Sequence, residues 1–121
     1  MKFRPLTTAA SVVAIVASFS VPITVQADDV AELVAKGKSV SFNRQKGNCL
    51  TCHMIPGGES PGNIGPPLIA MKARFPDKQI LRDQIWDSTK KNPATMMPPF
   101  GKHNILTEDE IDAVVEYIYT L

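Results

Sequence analysis

The chain has 121 residues, 44% of them hydrophobic and 7% aromatic, a length that suits one small domain. Its 13 lysine and arginine residues nearly balance 12 aspartate and glutamate residues, giving a formal net charge of +1. This balance excludes the strongly basic surface typical of a nucleic-acid-binding protein. Two cysteines are too few for a disulfide-rich scaffold.

Residues 1–27 have the pattern of a secretory signal peptide. Basic residues near the N-terminus precede an apolar stretch, residues 9–21, and the triplet Val25-Gln26-Ala27 is typical of a cleavage site. The apolar stretch is shorter than the about 20 residues that span a bilayer, which favours a cleaved signal over a membrane anchor. We therefore predict cleavage after Ala27, a periplasmic location for residues 28–121, and no membrane span in the mature chain.

A motif of two cysteines and a histidine predicts the cofactor of the mature domain. Cys49-Leu50-Thr51-Cys52-His53 is a C-x-x-C-H sequence, the signature of covalent haem attachment. The two thiols can add to the two vinyl groups along one edge of the porphyrin, and the adjacent histidine is then placed beneath the iron. We expect one haem c, bound through Cys49 and Cys52 and ligated by His53.

Three other interpretations of the two cysteines are weaker. A thioredoxin-like C-x-x-C pair needs a strand-turn-helix setting, whereas Cys49 follows a predicted helix. A zinc site could use His53 and His103, but no second close pair of ligands accompanies them. A disulfide between Cys49 and Cys52 would be strained and would give His53 no role.

The second axial ligand of the iron must come from a methionine or from His103. The segment 92–101 contains Met96 and Met97 followed by Pro98 and Pro99, and two prolines make a stiff loop that can present a thioether to a metal. Met97 adjoins the prolines and is the first candidate, with Met96 second and His103 third. Met71 has the spacing of a core residue, and Met54 lies too close to His53 to reach the other face.

A proline- and glycine-rich loop, residues 56–67, follows the motif. A ligating imidazole normally donates its other N–H to a backbone carbonyl, which orients the ring. Pro66 has no N–H of its own, and we predict that its carbonyl accepts this hydrogen bond from His53.

The first of three predicted helices runs from Asp28 to Phe42, with acidic residues in its first turn. Its packed side is predicted to contain Val30, Leu33, Val34 and Gly37. Because glycine has no side chain, Gly37 indicates a close approach of another helix.

The other two helices have N-cap signals. The second begins after the N-cap Asp77 and carries Ile80, Leu81, Ile85 and Trp86. The third begins after Thr107, with Glu110 completing a capping box, and its apolar residues recur at helical spacing: Ile111, Val114, Val115, Ile118 and Tyr119. No segment alternates as a strand does, so we predict an all-α domain with the haem as its central core element.

The sequence has no Ser-His-Asp set and no paired carboxylates that indicate catalysis. With both axial positions of the iron occupied, no position is open for a substrate, and one-electron transfer is the function that follows. We therefore expect no catalytic residue in this chain.

The residues from Gly37 to Leu121 resemble class I cytochromes c, through the C-x-x-C-H motif, Gly65-Pro66-Pro67-Leu68 and the methionine loop. Within that group they are similar to SoxX, the monohaem subunit of the SoxAX cytochromes of bacterial sulfur oxidation, through residues 58–68 and the Asn92-Pro93 step. The resemblance implies a class I cytochrome c-like fold, with haem ligation by His53 and Met97.

The same resemblance implies partners. A SoxA-like subunit would form a heterodimer with this chain and join thiosulfate to a cysteine of a sulfur-carrier protein complex, an L-cysteine S-thiosulfotransferase reaction. This chain would accept the electrons and pass them to a soluble cytochrome c. The alternative is a free-standing periplasmic electron shuttle, and a haem domain with a structural role in a respiratory complex also stays open. An apolar patch at the haem edge would favour the heterodimer, and a charged rim would favour the shuttle.

Overall fold

The structure, a computed structural model, describes residues 27–121, so the predicted signal peptide lies outside the described residues apart from Ala27. The helices are α1 (Ala27–Phe42), α2 (Met71–Arg74), α3 (Lys78–Trp86) and α4 (Glu108–Ile118), with 3-10 turns at Cys49–Thr51 and Ser88–Lys90. Residues 27–121 contain no β-strand. The predicted all-α fold is confirmed, and the three predicted helices are α1, α3 and α4.

Both predicted N-caps are present. The Asp77 side chain accepts a hydrogen bond from the Gln79 N–H at 2.8 Å, at the start of α3. At the start of α4 the Glu110 N–H donates to Thr107 Oγ1 at 3.2 Å, and the Thr107 N–H donates to Glu110 Oε2 at 3.1 Å. These bonds satisfy backbone N–H groups that have no partner within the helix.

The helix pair α1 and α4 is the most extensive contact between helices. A Cβ atom on Gly37 would lie 1.9 Å from the Ala113 carbonyl oxygen, so the two backbones touch at this point, as the glycine in the sequence indicated. Val40, one turn later, is buried. The predicted packed side of α1 is wrong at Val30. This residue is 47% exposed because it lies two turns before the contact at Gly37.

Helix α3 packs against α4 through Leu81 and Ile85, which lie one turn apart and are buried. Ile80 is an exception to the predicted apolar face. Successive helix positions are about 100° apart around the axis, so Ile80 does not share the face of Leu81, and it is 52% exposed.

Ion pairs join the outer surfaces of α3 and α4. Lys78 Nζ lies 2.8 Å from Glu116 Oε1, and Arg82 Nε donates to Asp112 Oδ1 at 2.6 Å. The Asp112 carboxylate raises the pKa of Arg82 further above its ordinary value. Such pairs on a wet surface contribute little stability each, so the apolar contacts between the two helices hold them together.

Helix α2 is a single turn that the sequence pattern did not predict. Met71, its first residue, is 1% exposed, and the Met71 N–H donates to the Leu121 carbonyl at 2.9 Å. This bond brings the C-terminal end of the described chain against the core. The predicted assignment of Met71 to the core is confirmed.

We expect Gly37→Ala to destabilise the domain by about 1–3 kcal/mol, the usual cost of overpacking. The new Cβ would clash with the Ala113 carbonyl, which is backbone and cannot rotate away. Urea unfolding followed by circular dichroism measures the change, with Ser39→Ala at an exposed position of α1 as the control. Helix propensity alone predicts a gain of about 1 kcal/mol for Gly37→Ala, and that gain would contradict the close contact.

Candidate functional site

A tight turn after α1 places the two cysteines. Asn48 has a left-handed backbone, with φ of 46°, and its side-chain oxygen accepts a hydrogen bond from Thr51 Oγ1 at 2.7 Å. The 3-10 turn Cys49–Thr51 follows, and the His53 N–H donates to the Cys49 carbonyl at 2.9 Å. This compact turn brings Cys49, Cys52 and His53 to the wall of one cavity.

The His53 ring is oriented by the loop that follows the motif. His53 Nδ1–H donates to the Pro66 carbonyl at 2.7 Å, the hydrogen bond that the sequence predicted. Because a carbonyl can only accept, this bond places the proton on Nδ1 and leaves Nε2 available as a lone-pair donor. Backbone bonds hold the loop itself: the Gly65 N–H donates to the Cys52 carbonyl at 2.8 Å, and the Gly62 N–H donates to the Leu50 carbonyl at 2.9 Å.

Gly65 leaves room for the imidazole. A Cβ atom at this position would lie 2.4–2.9 Å from three atoms of the His53 ring, closer than side chains pack. The glycine before Pro66 is therefore required by the ring beside it. The Gly65-Pro66 step in the sequence does not by itself indicate this role.

The methionine loop approaches the same cavity. The Met97 N–H donates to Thr95 Oγ1 at 3.1 Å, and Ser88 Oγ donates to the Met97 carbonyl at 2.7 Å. Met97 is half-buried and lines the cavity, whereas Met96, which also lines it, is 75% exposed. These contacts favour Met97 as the methionine that can face His53.

The other ligand candidates are less favourably placed. His103, the third candidate, is exposed and lies outside the cavity lining. Met54 is also absent from the lining and is 38% exposed. Met71 lines the cavity, but it is a buried core residue, and its sulfur accepts a hydrogen bond from Arg74 Nη1 at 3.4 Å.

The cavity has a volume of about 740 Å³. Its walls are mostly apolar and come from the core and the loops around it: Leu68, Met71, Phe75, Leu81, Ile85, Phe100, Leu106, Val114 and Ile118. The charged residues in its lining are Arg44, Lys46, Arg74 and Lys91, and of these Lys46 pairs with the Glu110 carboxylate outside the lining. A large apolar cavity with basic residues in its lining suits a large, mostly apolar group that carries negative charge.

The possible ligand atoms around the cavity also fit such a group. Cys49 and Cys52 are free thiols, so the disulfide interpretation is not supported. Burial raises the pKa of the Cys49 thiol, which keeps it protonated in the free chain. Within residues 27–121 no group of three or more His, Cys, Asp or Glu side chains could hold a metal ion, which argues against a zinc site. Two thiols, one imidazole, one thioether and four basic residues around an apolar cavity fit a covalently bound haem and its propionates.

Several residues of this site have no motif in the sequence. Ser88 and the four basic lining residues come from three separate parts of the chain, and only the folded structure brings them together.

The family is identified by sequence comparison. A family model described as "Cytochrome C oxidase, cbb3-type, subunit III" matches residues 25–118. The chain belongs to this cytochrome family. An "Uncharacterized lipoprotein" of Aquifex aeolicus (strain VF5) is 34% identical over 76 residues, which are 62% of this chain and 37% of the relative. The match therefore spans little more than a third of the length of that curated relative.

Membership of the cbb3-type cytochrome family makes this chain a c-type cytochrome domain, with haem c as cofactor and electron transfer as its function. The narrower resemblance to SoxX stays a prediction, because neither match carries it. In the part of the chain that the structure describes, no helix has the length and apolar character needed to cross a bilayer.

We expect Gly65→Ala to disturb the His53 ring, because the added methyl group occupies the space of the imidazole. In the haem-loaded protein, the slowly exchanging Nδ1–H resonance of His53 in the NMR spectrum should be lost or shifted. Glu59→Ala is the control in the same loop, since Glu59 is exposed. A resonance of His53 unchanged in Gly65→Ala would show that the ring and the loop are not in contact.

Proposed function

We propose that this chain is an exported monohaem c-type cytochrome whose iron is held between His53 and Met97. The observation that carries the proposal is that both thiols, the oriented imidazole and the Met97 side chain line one cavity of about 740 Å³. The haem would supply a centre that gains and loses one electron. The protein's contribution is to hold that centre in fixed geometry.

Each residue has a distinct part in this proposal. Cys49 and Cys52 would form the thioether links, and His53 would offer Nε2 to the iron because its Nδ1 is engaged by Pro66. Met97 would offer its thioether as the second ligand. If His53 and Met97 both ligate the iron, no position would be open for a substrate, which favours electron transfer over catalysis at this site.

Export rests on two observations. The pattern of residues 1–27 is that of a cleaved signal, and the Aquifex aeolicus relative is described as a lipoprotein. We place the mature chain, residues 28–121, in the periplasm, where c-type haem is attached after export.

We expect Met97→Leu to abolish the charge-transfer band between sulfur and ferric iron and to lower the reduction potential. A thioether stabilises reduced iron better than the water or imidazole that would replace it. Visible absorption spectra and a redox titration of the purified cytochrome measure both effects. Met96→Leu is the matched control and should keep the band, because Met96 is exposed. The reverse result would make Met96 the ligand. If both variants keep the band, neither methionine is the ligand.

We propose more specifically a SoxX-like function. This chain would be the electron-transfer subunit of a heterodimeric L-cysteine S-thiosulfotransferase and would catalyse no reaction alone. Three exposed apolar residues of the cavity lining favour a partner protein: Ile64 at 58%, Met96 at 75% and Ile105 at 43% exposure. All three line the same cavity, and an exposed apolar surface of this kind is what a heterodimer with a SoxA-like subunit would use.

The alternative is a free-standing periplasmic shuttle between soluble partners. The basic residues Arg44 and Lys91, which line the cavity and are exposed, favour it, since a charged rim steers transient encounters. The two functions predict different masses for the native protein, a stable heterodimer for the first and a monomer for the second.

We expect the chain alone not to turn over thiosulfate, and its haem to become reduced only when a SoxA-like subunit and the sulfur-carrier protein are added. The physical reason is that both thiols are consumed by the haem and both axial positions are filled, so no group is left for sulfur chemistry. Reconstitution from purified components, followed by the haem absorption spectrum, measures this. Thiosulfate-dependent reduction and carrier conjugation by this chain alone would exclude the division of labour, and full turnover with the Met97→Leu variant would place this haem outside the electron path.

A further inference from the structure

The sulfur of Met97 has a hydrogen-bond partner of its own. Gln84 Nε2 lies 3.9 Å from Met97 Sδ, within hydrogen-bonding range of a sulfur acceptor. Gln84 belongs to α3, is half-buried and lines the cavity. A thioether sulfur has two lone pairs, so one can bind a metal while the other accepts from an amide N–H. The contact with Gln84 is therefore compatible with ligation by Met97.

The backbone of Met97 is held independently of its side chain. Ser88, which is fully buried, donates to its carbonyl, and Thr95 accepts from its N–H. Pro98, the residue after Met97, has a φ fixed by its ring, which stiffens the chain at this point. The methionine side chain still has three rotatable bonds, and its sulfur can point in several directions from a fixed backbone. Gln84 supplies a contact that selects one of these directions.

The separation of the Gln84 and Met97 backbones is fixed by the packing of α3 and by a hydrogen bond from the loop after Met97 back to α3. Gln84 lies between the buried Leu81 and Ile85 on α3, so its helix cannot shift without opening the core. At the end of that helix the Trp86 carbonyl accepts from the Gly101 N–H at 3.1 Å, which ties the far end of the methionine loop to α3. The backbones of Gln84 and Met97 are thus parts of one rigid frame.

We propose that Gln84 is a positioning residue that directs the Met97 sulfur to the iron and raises the reduction potential of the haem. The inference rests on the proposed ligation by Met97 and deepens it. A hydrogen bond to the sulfur withdraws electron density from it, and the oxidised iron depends on that density more than the reduced iron does. Losing the donor therefore stabilises the oxidised form and frees the side chain to rotate.

The test uses the haem-loaded protein with Gln84→Leu, which removes the donor and keeps a side chain of similar bulk. A redox titration should show the one-electron equilibrium constant for reduction falling on the order of tenfold, about 59 mV. The charge-transfer band between sulfur and iron should weaken or shift, because more than one sulfur orientation becomes populated. Gln79→Leu is the matched control, since Gln79 is an exposed residue of the same helix, and it should leave both signals unchanged.

A second variant keeps the inference decidable if Gln84→Leu fails to accumulate with haem. Gln84→Asn retains the amide but shortens the side chain by one methylene, which places the donor beyond reach of the sulfur. We expect Gln84→Asn to lower the reduction potential as Gln84→Leu does. If Gln84 acted only as a polar group near the haem, Gln84→Asn would keep the wild-type potential. Thermal melting of each variant separates a loss of stability from a change in potential.

The outcomes separate this inference from the ligation on which it rests. If Met97→Leu loses the band while Gln84→Leu and Gln84→Asn keep wild-type potential and spectrum, the role of Gln84 is overturned and the ligation stands. If the wild-type protein lacks the band, the ligation and the role of Gln84 are both overturned. A lowered potential in both Gln84 variants, with Gln79→Leu unchanged, supports the inference.

Discussion

The hydrogen bond from His53 Nδ1 to the Pro66 carbonyl is the interaction on which the candidate site depends. It determines which ring nitrogen is free, and it determines where that nitrogen lies, because the Gly65 backbone packs against the imidazole. The loop that provides the carbonyl is itself bonded to the cysteine turn by backbone hydrogen bonds. The half of the site that contains His53 is therefore ordered by contacts within residues 48–66 of the protein itself.

The distal half is ordered differently, through the tertiary structure. Met97 is positioned by residues of α3 and of the 3-10 turn after it, and α3 is positioned by its packing on α4. The close contact of α4 with α1 at Gly37 completes the frame, since α1 leads into the cysteine turn. A frame that is rigid on both sides can keep the same geometry in both oxidation states of a bound metal, and this preorganisation suits electron transfer.

The local features of this chain could be predicted from its sequence, and the long-range ones could not. The N-caps Asp77 and Thr107 follow from side-chain chemistry within a few residues, and the structure has both. Gly37 indicated that another helix comes close, but its partner Ala113 on α4 is known only from the structure. The hydrogen bond between His53 and Pro66 was also predictable, because a ligating imidazole needs an acceptor and Pro66 offers one. Helix α2 is a single turn, too short to show a periodic pattern in the sequence. Val30 and Ile80 are apolar residues that the pattern assigned to packed faces, but both are exposed in the structure. The contact of Gln84 with Met97 joins residues on two different elements, so no local pattern indicates it.

The most direct test of the central claim, that Cys49 and Cys52 hold one haem in the cavity between His53 and Met97, is the intact mass of the protein purified from the periplasm of a host that matures c-type cytochromes. Measured under denaturing conditions, which remove any group that is not covalently bound, the mass should equal that of residues 28–121 plus one haem. Cys49→Ser together with Cys52→Ser should return the mass to that of the bare polypeptide. A wild-type mass equal to the bare polypeptide would contradict the account.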